Sequence, residues 1–213
     1  NTTTRAGQLY EVDMRLRPSG ASGMIVASMT AFEKYQTKEA WTWEHQALIR
    51  ARIVCAQGPL GDEYLRIRQH ILAKARDSVP LRQEVVQMRE KMRANLGAEN
   101  TGKNEFQLKQ DAGGIVDIEF LVQYLVLAHC AQYPELLKWT DNVRLLETLT
   151  SLGVLDTQQS EALCQAYIAY RSLAHRRALQ NQTLLLTTKE LERAKLHSHI
   201  NTVKGLWEKI VSD

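Results

Sequence analysis

The sequence predicts a mainly α fold: a helical bundle preceded by a small β-strand remnant. Three observations predict it. From residue 39 onward, apolar residues recur at helical spacing, with Gly, Pro, Asp and Asn as punctuation. Before that, Leu9 to Gly20 alternates: Tyr10, Val12, Met14 and Leu16 are apolar, and Glu11, Asp13, Arg15 and Arg17 are charged. Such a period of two belongs to a strand with one buried face, and it puts all four charges on the same side. Finally, Ile115 to Ala131 is apolar around most of a helical circumference, as the buried centre of a bundle would be.

Taken in order, Asn1 to Gln8 is a polar lead-in and Pro18-Ser19-Gly20 a turn. Met24 to Ser28 suits a second strand paired with the first. Thr30 to Lys38 reads as a short helix and Glu39 to Ala56 as a longer one, with Trp41, Leu48, Ala51 and Cys55 on one stripe, ending at Gly58-Pro59. Asp62 to Arg76 follows with Tyr64, Ile67, Ile71 and Ala75 inward. Leu81, Val85, Met88, Met92 and Leu96 then make one seam, with Arg82, Glu84, Arg89, Glu90, Lys91 and Arg93 facing outward and Gly97 closing the helix.

Gly97 to Asn104 is the best candidate for disorder, and Phe106 to Lys109 a short extended piece. After the central helix come helices over Asn142 to Leu152 and from a cap at Asp156 or Thr157 through Leu179. Leu184 to Leu186 is a short apolar run, and two closing helices span about Lys189 to His197 and Asn201 to Ser212. Neither a solenoid repeat nor a low-complexity tract is present.

Composition narrows the function classes. With 27 basic and 24 acidic side chains the net charge is +3, too even to mark a nucleic-acid footprint without clustering on one face. Cys55, Cys130 and Cys164 are widely spaced with no CxxC pair, which predicts small core residues in a reducing compartment rather than disulfides or a thiolate zinc site. No apolar run approaches the ~20 residues needed to cross a bilayer, so the expectation is a cytoplasmic protein without membrane or nucleic-acid partners. The first residue is Asn1, not Met, which suggests an excised piece.

Three constellations could carry chemistry. Asp13 lies between Arg15 and Glu11 on the charged strand face, which fits a ligand site or a solvated edge equally well. Lys109, Gly113, Gly114, Asp117 and Glu119 surround the start of the central helix, where free amides attract anions and glycines admit a ligand. A sharp loop-to-helix turn with acidic capping explains the same residues. Asp117 and Glu119 are two apart and cannot form a carboxylate dyad on one helical face. Trp41-Thr42-Trp43-Glu44-His45 could stack on a base, although packing against a sheet is the better reading. Of the six histidines only His197 and His199 are close, and no HExxH occurs, so no zinc site is expected.

The blocks VDMRLRPSG, ASGMIVAS, AWTWEHQALIRARIV, GGIVDIEFLVQYLVL and WTDNVRLLETL resemble, in order, the second adenylyltransferase half of the glutamine synthetase adenylyltransferases. The resemblance runs from about Leu9 to Leu146 and is weaker beyond. It implies a polymerase β-like nucleotidyltransferase unit, here residues 1–38, followed by a helical domain, 39–213, with 39–96 able to bridge the two. It further implies transfer of AMP from ATP to a tyrosine of glutamine synthetase, and its removal by the other unit, with Mg²⁺ or Mn²⁺ and under control of a PII signalling protein.

In that family two metal ligands come from an Asp-x-Asp pair, expected upstream, and Asp13 matches the third carboxylate. The resemblance implies that Asp13 binds the metal and helps deprotonate the tyrosine hydroxyl, with Arg15 and Arg17 on phosphate and Glu11 in support. It gives Lys109 and Asp117, with Gly113, Gly114 and Glu119, a nucleotide-facing or interdomain role. Glu44, with Arg50 or Arg52, would tie its helix to the Asp13 face. The piece alone is expected to be inactive. The alternative is an interaction module whose helices bind PII or glutamine synthetase.

Overall fold

The computed structural model describes residues 3–5, 7–8, 14, 17–97 and 105–211. The alternating stretch that holds Glu11, Asp13 and Arg15, and most of the loop after Gly97, therefore lie outside the described residues.

Two short strands, β1 (Thr3–Thr4) and β2 (Gly7–Gln8), pair antiparallel at the start. The helices follow: α1 (Met29–Lys38), α2 (Thr42–Arg50), α3 (Leu60–Leu72), α4 (Ser78–Leu96), α5 (Ile115–His129), α6 (Asn142–Ser151), α7 (Thr157–Leu179), α8 (Thr188–Arg193) and α9 (His197–Val211). Between α4 and α5 lies β3 (Glu105–Gln107), which pairs antiparallel with β4 (Leu185–Thr187), Phe106 opposite Leu186. The expected extended piece and the apolar run at Leu184 to Leu186 thus find each other, and fully buried Leu186 pins the ribbon to the core.

The central helix sits where its composition places it. α5 packs against α2, α4, α6, α7 and α9. Ile118, Leu121, Val122, Val126 and Leu127 are fully buried. At roughly 1.5–3 kcal/mol per buried aliphatic side chain, this helix is the main apolar contribution to the bundle. Caps set the register of its neighbours: Asp156 accepts from the Gln159 amide at 2.7 Å to start α7, and Thr187 and Glu190 form the same reciprocal box at α8.

Several expectations are corrected. α2 ends at Arg50, not near Ala56. Buried Arg68 explains why: its guanidinium donates to the carbonyls of Leu48 (3.1 Å), Ile49 (2.6 Å) and Leu137 (2.8 Å), satisfying acceptors that another helical turn would otherwise have bonded. The chain then turns extended at Ala51, and Cys55 is exposed rather than core, while Cys130 is buried as expected. Met24 to Ser28 forms no strand; no other described strand lies alongside to share a ladder, and Met24, Ile25 and Val26 are exposed. Arg89, expected to face outward, is fully buried.

The turn into α5 places the tightest demand on side-chain size. Gly113 has φ +82°, and a Cβ there would sit 2.5 Å from the Ile200 carbonyl oxygen of α9. Gly153 is also left-handed, at φ +71°, but a Cβ there would meet open space. Gly113→Ala is therefore expected to destabilise by about 2–4 kcal/mol and Gly153→Ala by about 1 kcal/mol, as read by urea unfolding. Equal costs would show that α9 yields to the added methyl.

Candidate functional site

Of the strand-face cluster only Arg17 is described. Its Nε donates to the Gly23 carbonyl and its Nη2 to that of Ala21, both at 3.2 Å, and its Nη1 to that of Met14. All three guanidinium nitrogens thus close the loop that carries the Pro18 turn. Any phosphate contact by Arg17 would exchange one of these bonds for a charge-assisted one.

The second cluster is built around α5. The turn preceding it folds onto itself: Ile115 N–H donates to the Leu108 carbonyl at 3.0 Å, Val116 to that of Lys109 at 3.1 Å, and Gly114 to that of Asp111 at 2.9 Å. A Cβ on Gly114 would lie 2.5 Å from the Leu108 oxygen, so this residue admits another part of its own chain. The two glycines that could have admitted a ligand admit backbone instead.

Asp117 is 1% exposed and points into the bundle. It accepts from Arg89 Nε at 2.6 Å, from the Gly113 amide at 2.6 Å, and from Arg93 Nη2 at 3.3 Å. Arg89 also donates to the Gln110 carbonyl at 2.6 Å, so one guanidinium ties α4 to both the turn and α5. Burial pulls the Arg89 pKa down, and Asp117 opposes that pull. On the other side, Tyr170 of α7 donates to the Gly113 carbonyl at 2.9 Å, its own pKa pushed up by burial and then by the Asp117 charge. Asp117 is thus the centre of a structural clamp, and its oxygens are already engaged.

Glu119, two residues on, faces elsewhere. It accepts from Arg50 at 2.5 Å and from the Tyr167 hydroxyl at 3.3 Å, joining α5 to the ends of α2 and α7. Burial works against the Arg50 charge, but Glu119 and Tyr167 outweigh it and hold the guanidinium above its ordinary pKa. Glu44 accepts from the Tyr35 hydroxyl at 2.8 Å and from the Trp41 amide at 2.9 Å, which makes it the cap of α2. Trp41, beside it, is 70% exposed. Lys109 is exposed. The residues of the α5 motif are therefore adjacent in space but divided: Asp117 and the glycines face inward, Glu119 faces Arg50, and Lys109 faces solvent.

Two participants were missed. Arg89 was legible in principle, because Leu81, Val85 and Arg89 are spaced four apart and form the buried stripe of α4. Tyr170 has no such trace: no local signal marks its hydroxyl as a partner of a loop 57 positions away.

Residues 1–67 match the family model described as glutamate-ammonia ligase adenylyltransferase, and residues 85–206 match that described as GlnD PII-uridylyltransferase. The chain is 52% identical over 191 residues to the bifunctional glutamine synthetase adenylyltransferase/adenylyl-removing enzyme of Pseudomonas syringae pv. tomato, which is 85% of this chain and 19% of the relative. It is 45% identical over 215 residues to the enzyme of that name in Hahella chejuensis, covering 100% of this chain and 22% of the relative. For that of Vibrio parahaemolyticus the values are 51% over 181 residues, 85% and 19%. The chain thus spans about a fifth of the length of these relatives.

The clamp and the exposed lysine separate in their expected costs. Lys109→Ala should leave stability within about 0.5 kcal/mol, whereas Glu119→Gln, which weakens a half-buried tie, should cost about 1 kcal/mol in chemical denaturation. A large loss in Lys109→Ala would mean that the lysine holds the fold.

Proposed function

Because the chain belongs to the glutamine synthetase adenylyltransferase family, we propose that it forms part of an enzyme that transfers AMP from ATP to a tyrosine of glutamine synthetase and, in the intact two-unit protein, removes it. The observation that carries this reading is the identity of 45% sustained over the whole chain to a relative named for both activities.

Asp13 is the residue assigned to the chemistry. A divalent ion, Mg²⁺ or Mn²⁺, supplies neutralisation of the triphosphate and a lowered pKa for the attacking hydroxyl when bound. Hard cations take oxygen ligands, which makes carboxylates the donors to test. Among the described carboxylates already considered, Asp117, Glu119 and Glu44 are committed to arginine, tyrosine or backbone partners, and no described group of three His, Cys, Asp or Glu is placed to hold a metal. Asp13, with two further carboxylates from an upstream Asp-x-Asp pair, is the fitting donor. Its role toward the protein substrate is to draw the proton from the tyrosine hydroxyl, with Glu11 supporting it. Arg15 and Arg17 neutralise phosphate charge, and Lys109, whose side chain is exposed, is the helical domain's contribution to the nucleotide.

Residues 1–38 belong on this reading to the nucleotidyltransferase unit and 39–213 to the helical domain. The match of residues 85–206 to a model named for a PII-uridylyltransferase, an enzyme that acts on PII, supports a helical scaffold able to meet PII, and PII is the proposed regulator. No described helix is long and apolar enough to cross a membrane, which suits an enzyme acting on its protein substrate in the cytoplasm. The second reading is a helical module that docks on PII or glutamine synthetase; within residues 39–213 it is favoured by the exposed side chains of Trp41 (70%) and Val54 (92%).

In the full-length enzyme, Asp13→Asn is expected to lower AMP transfer by roughly two to three orders of magnitude while glutamine synthetase is still bound. Transfer near the wild-type rate would remove Asp13 from the mechanism and leave the docking reading.

A further inference from the structure

A cleft with a volume of about 640 Å³ opens where the end of α2 meets the segment leading into α6, with Tyr167 of α7 on its wall. Four cationic side chains line it: Arg50, Arg52, Lys138 and Arg144. The carboxylate among its lining residues is Asp141, which is already the cap of α6, accepting from the Arg144 amide at 3.0 Å and standing 3.9 Å from the Arg144 guanidinium. Glu119 neutralises Arg50 from behind. The cations are gathered instead by an indole: Lys138 Nζ lies 4.9 Å and Arg144 Cζ 4.2 Å from the Trp139 ring centre. Positive charge therefore exceeds negative charge at this surface.

A second, independent observation lies deeper. Asn142, the first residue of α6, lines the same cleft and is 1% exposed, and neither its Nδ2 nor its Oδ1 has a hydrogen-bond partner among the described residues. A buried amide with both ends unmatched costs roughly 1–3 kcal/mol per group, unless a molecule entering the cleft supplies an acceptor and a donor together. The N-terminal end of α6 adds its own preference for negative charge.

We infer that this cleft binds a nucleoside polyphosphate, with the phosphates held by Arg52, Lys138 and Arg144 and a sugar hydroxyl or base edge engaging Asn142. Planar guanidinium forks suit phosphate oxygens, and several cations together suit a ligand with several charges. An acidic peptide would satisfy the exposed cations, but it leaves the buried amide unmatched. The inference stands on the chemistry of the cleft and not on AMP transfer.

The test is calorimetric titration of the 213-residue chain, free of divalent metal and at low salt, with ATP, with inorganic tripolyphosphate and with a polyglutamate peptide. Saturable binding of ATP at one site is expected, with tripolyphosphate weaker. Arg52→Gln with Lys138→Gln should weaken both by at least about tenfold, and Asn142→Ala should weaken ATP while leaving tripolyphosphate unchanged. Arg82→Gln, on the outer face of α4, should change neither. Thermal melts of each variant identify any that fail to fold, and the two exposed cations keep the test valid should Asn142→Ala be one of them. No saturable ATP binding, binding indifferent to the double variant, or tighter binding of the peptide than of ATP would overturn the inference.

Discussion

The bundle is organised by one buried ionic contact, between Arg89 of α4 and Asp117 of α5, 2.6 Å apart with side chains 0% and 1% exposed. Removing two charges from water is costly, and their attraction offsets that cost only where the remaining donors and acceptors are also satisfied. Here Asp117 takes a backbone amide and a second arginine as well, and Arg89 reaches the Gln110 carbonyl through Nη2, which leaves only its Nη1 without a partner among the described residues. The contact therefore fixes more than two helices. It holds the Gly113 turn against α5, Tyr170 grips the same turn from α7, and the Ile200 carbonyl of α9 closes over it.

This arrangement divides the work of a short motif. The glycines and Asp117, which resemble a ligand-binding helix start when read as a string, are consumed by the fold. What they achieve is to set α5 in a single rotation. Glu119 is then delivered to Arg50, and through Arg50 the end of α2 is placed beside the segment before α6, where the basic cleft forms. The two ties, Asp117 to α4 and Glu119 to the end of α2, occupy opposite sides of one helix, two residues apart.

The bundle was legible because burial leaves a periodic trace. The all-round apolar character of α5 and the acidic cap of α7 read directly from the residues, and these two helices fall close to the expected bounds. The errors have a common physical origin. Charge was equated with exposure at Arg89, although a guanidinium four residues beyond Val85 on a buried stripe can sit inside when a carboxylate meets it. Arg68 ended α2 early through carbonyl contacts that no local pattern announces. The cleft draws on α2, α6, α7 and the segment before α6, so its cations are far apart in the sequence and near only in space.

A double-mutant cycle on Arg89→Met and Asp117→Asn tests the organising contact most directly. By unfolding free energy, each single change is expected to cost about 3–5 kcal/mol, and the pair together to cost well short of the sum, because the second change removes a charge the first has already stranded. Single costs below about 1 kcal/mol that simply add would contradict the account, and the start of α5 would then owe its position to apolar packing alone.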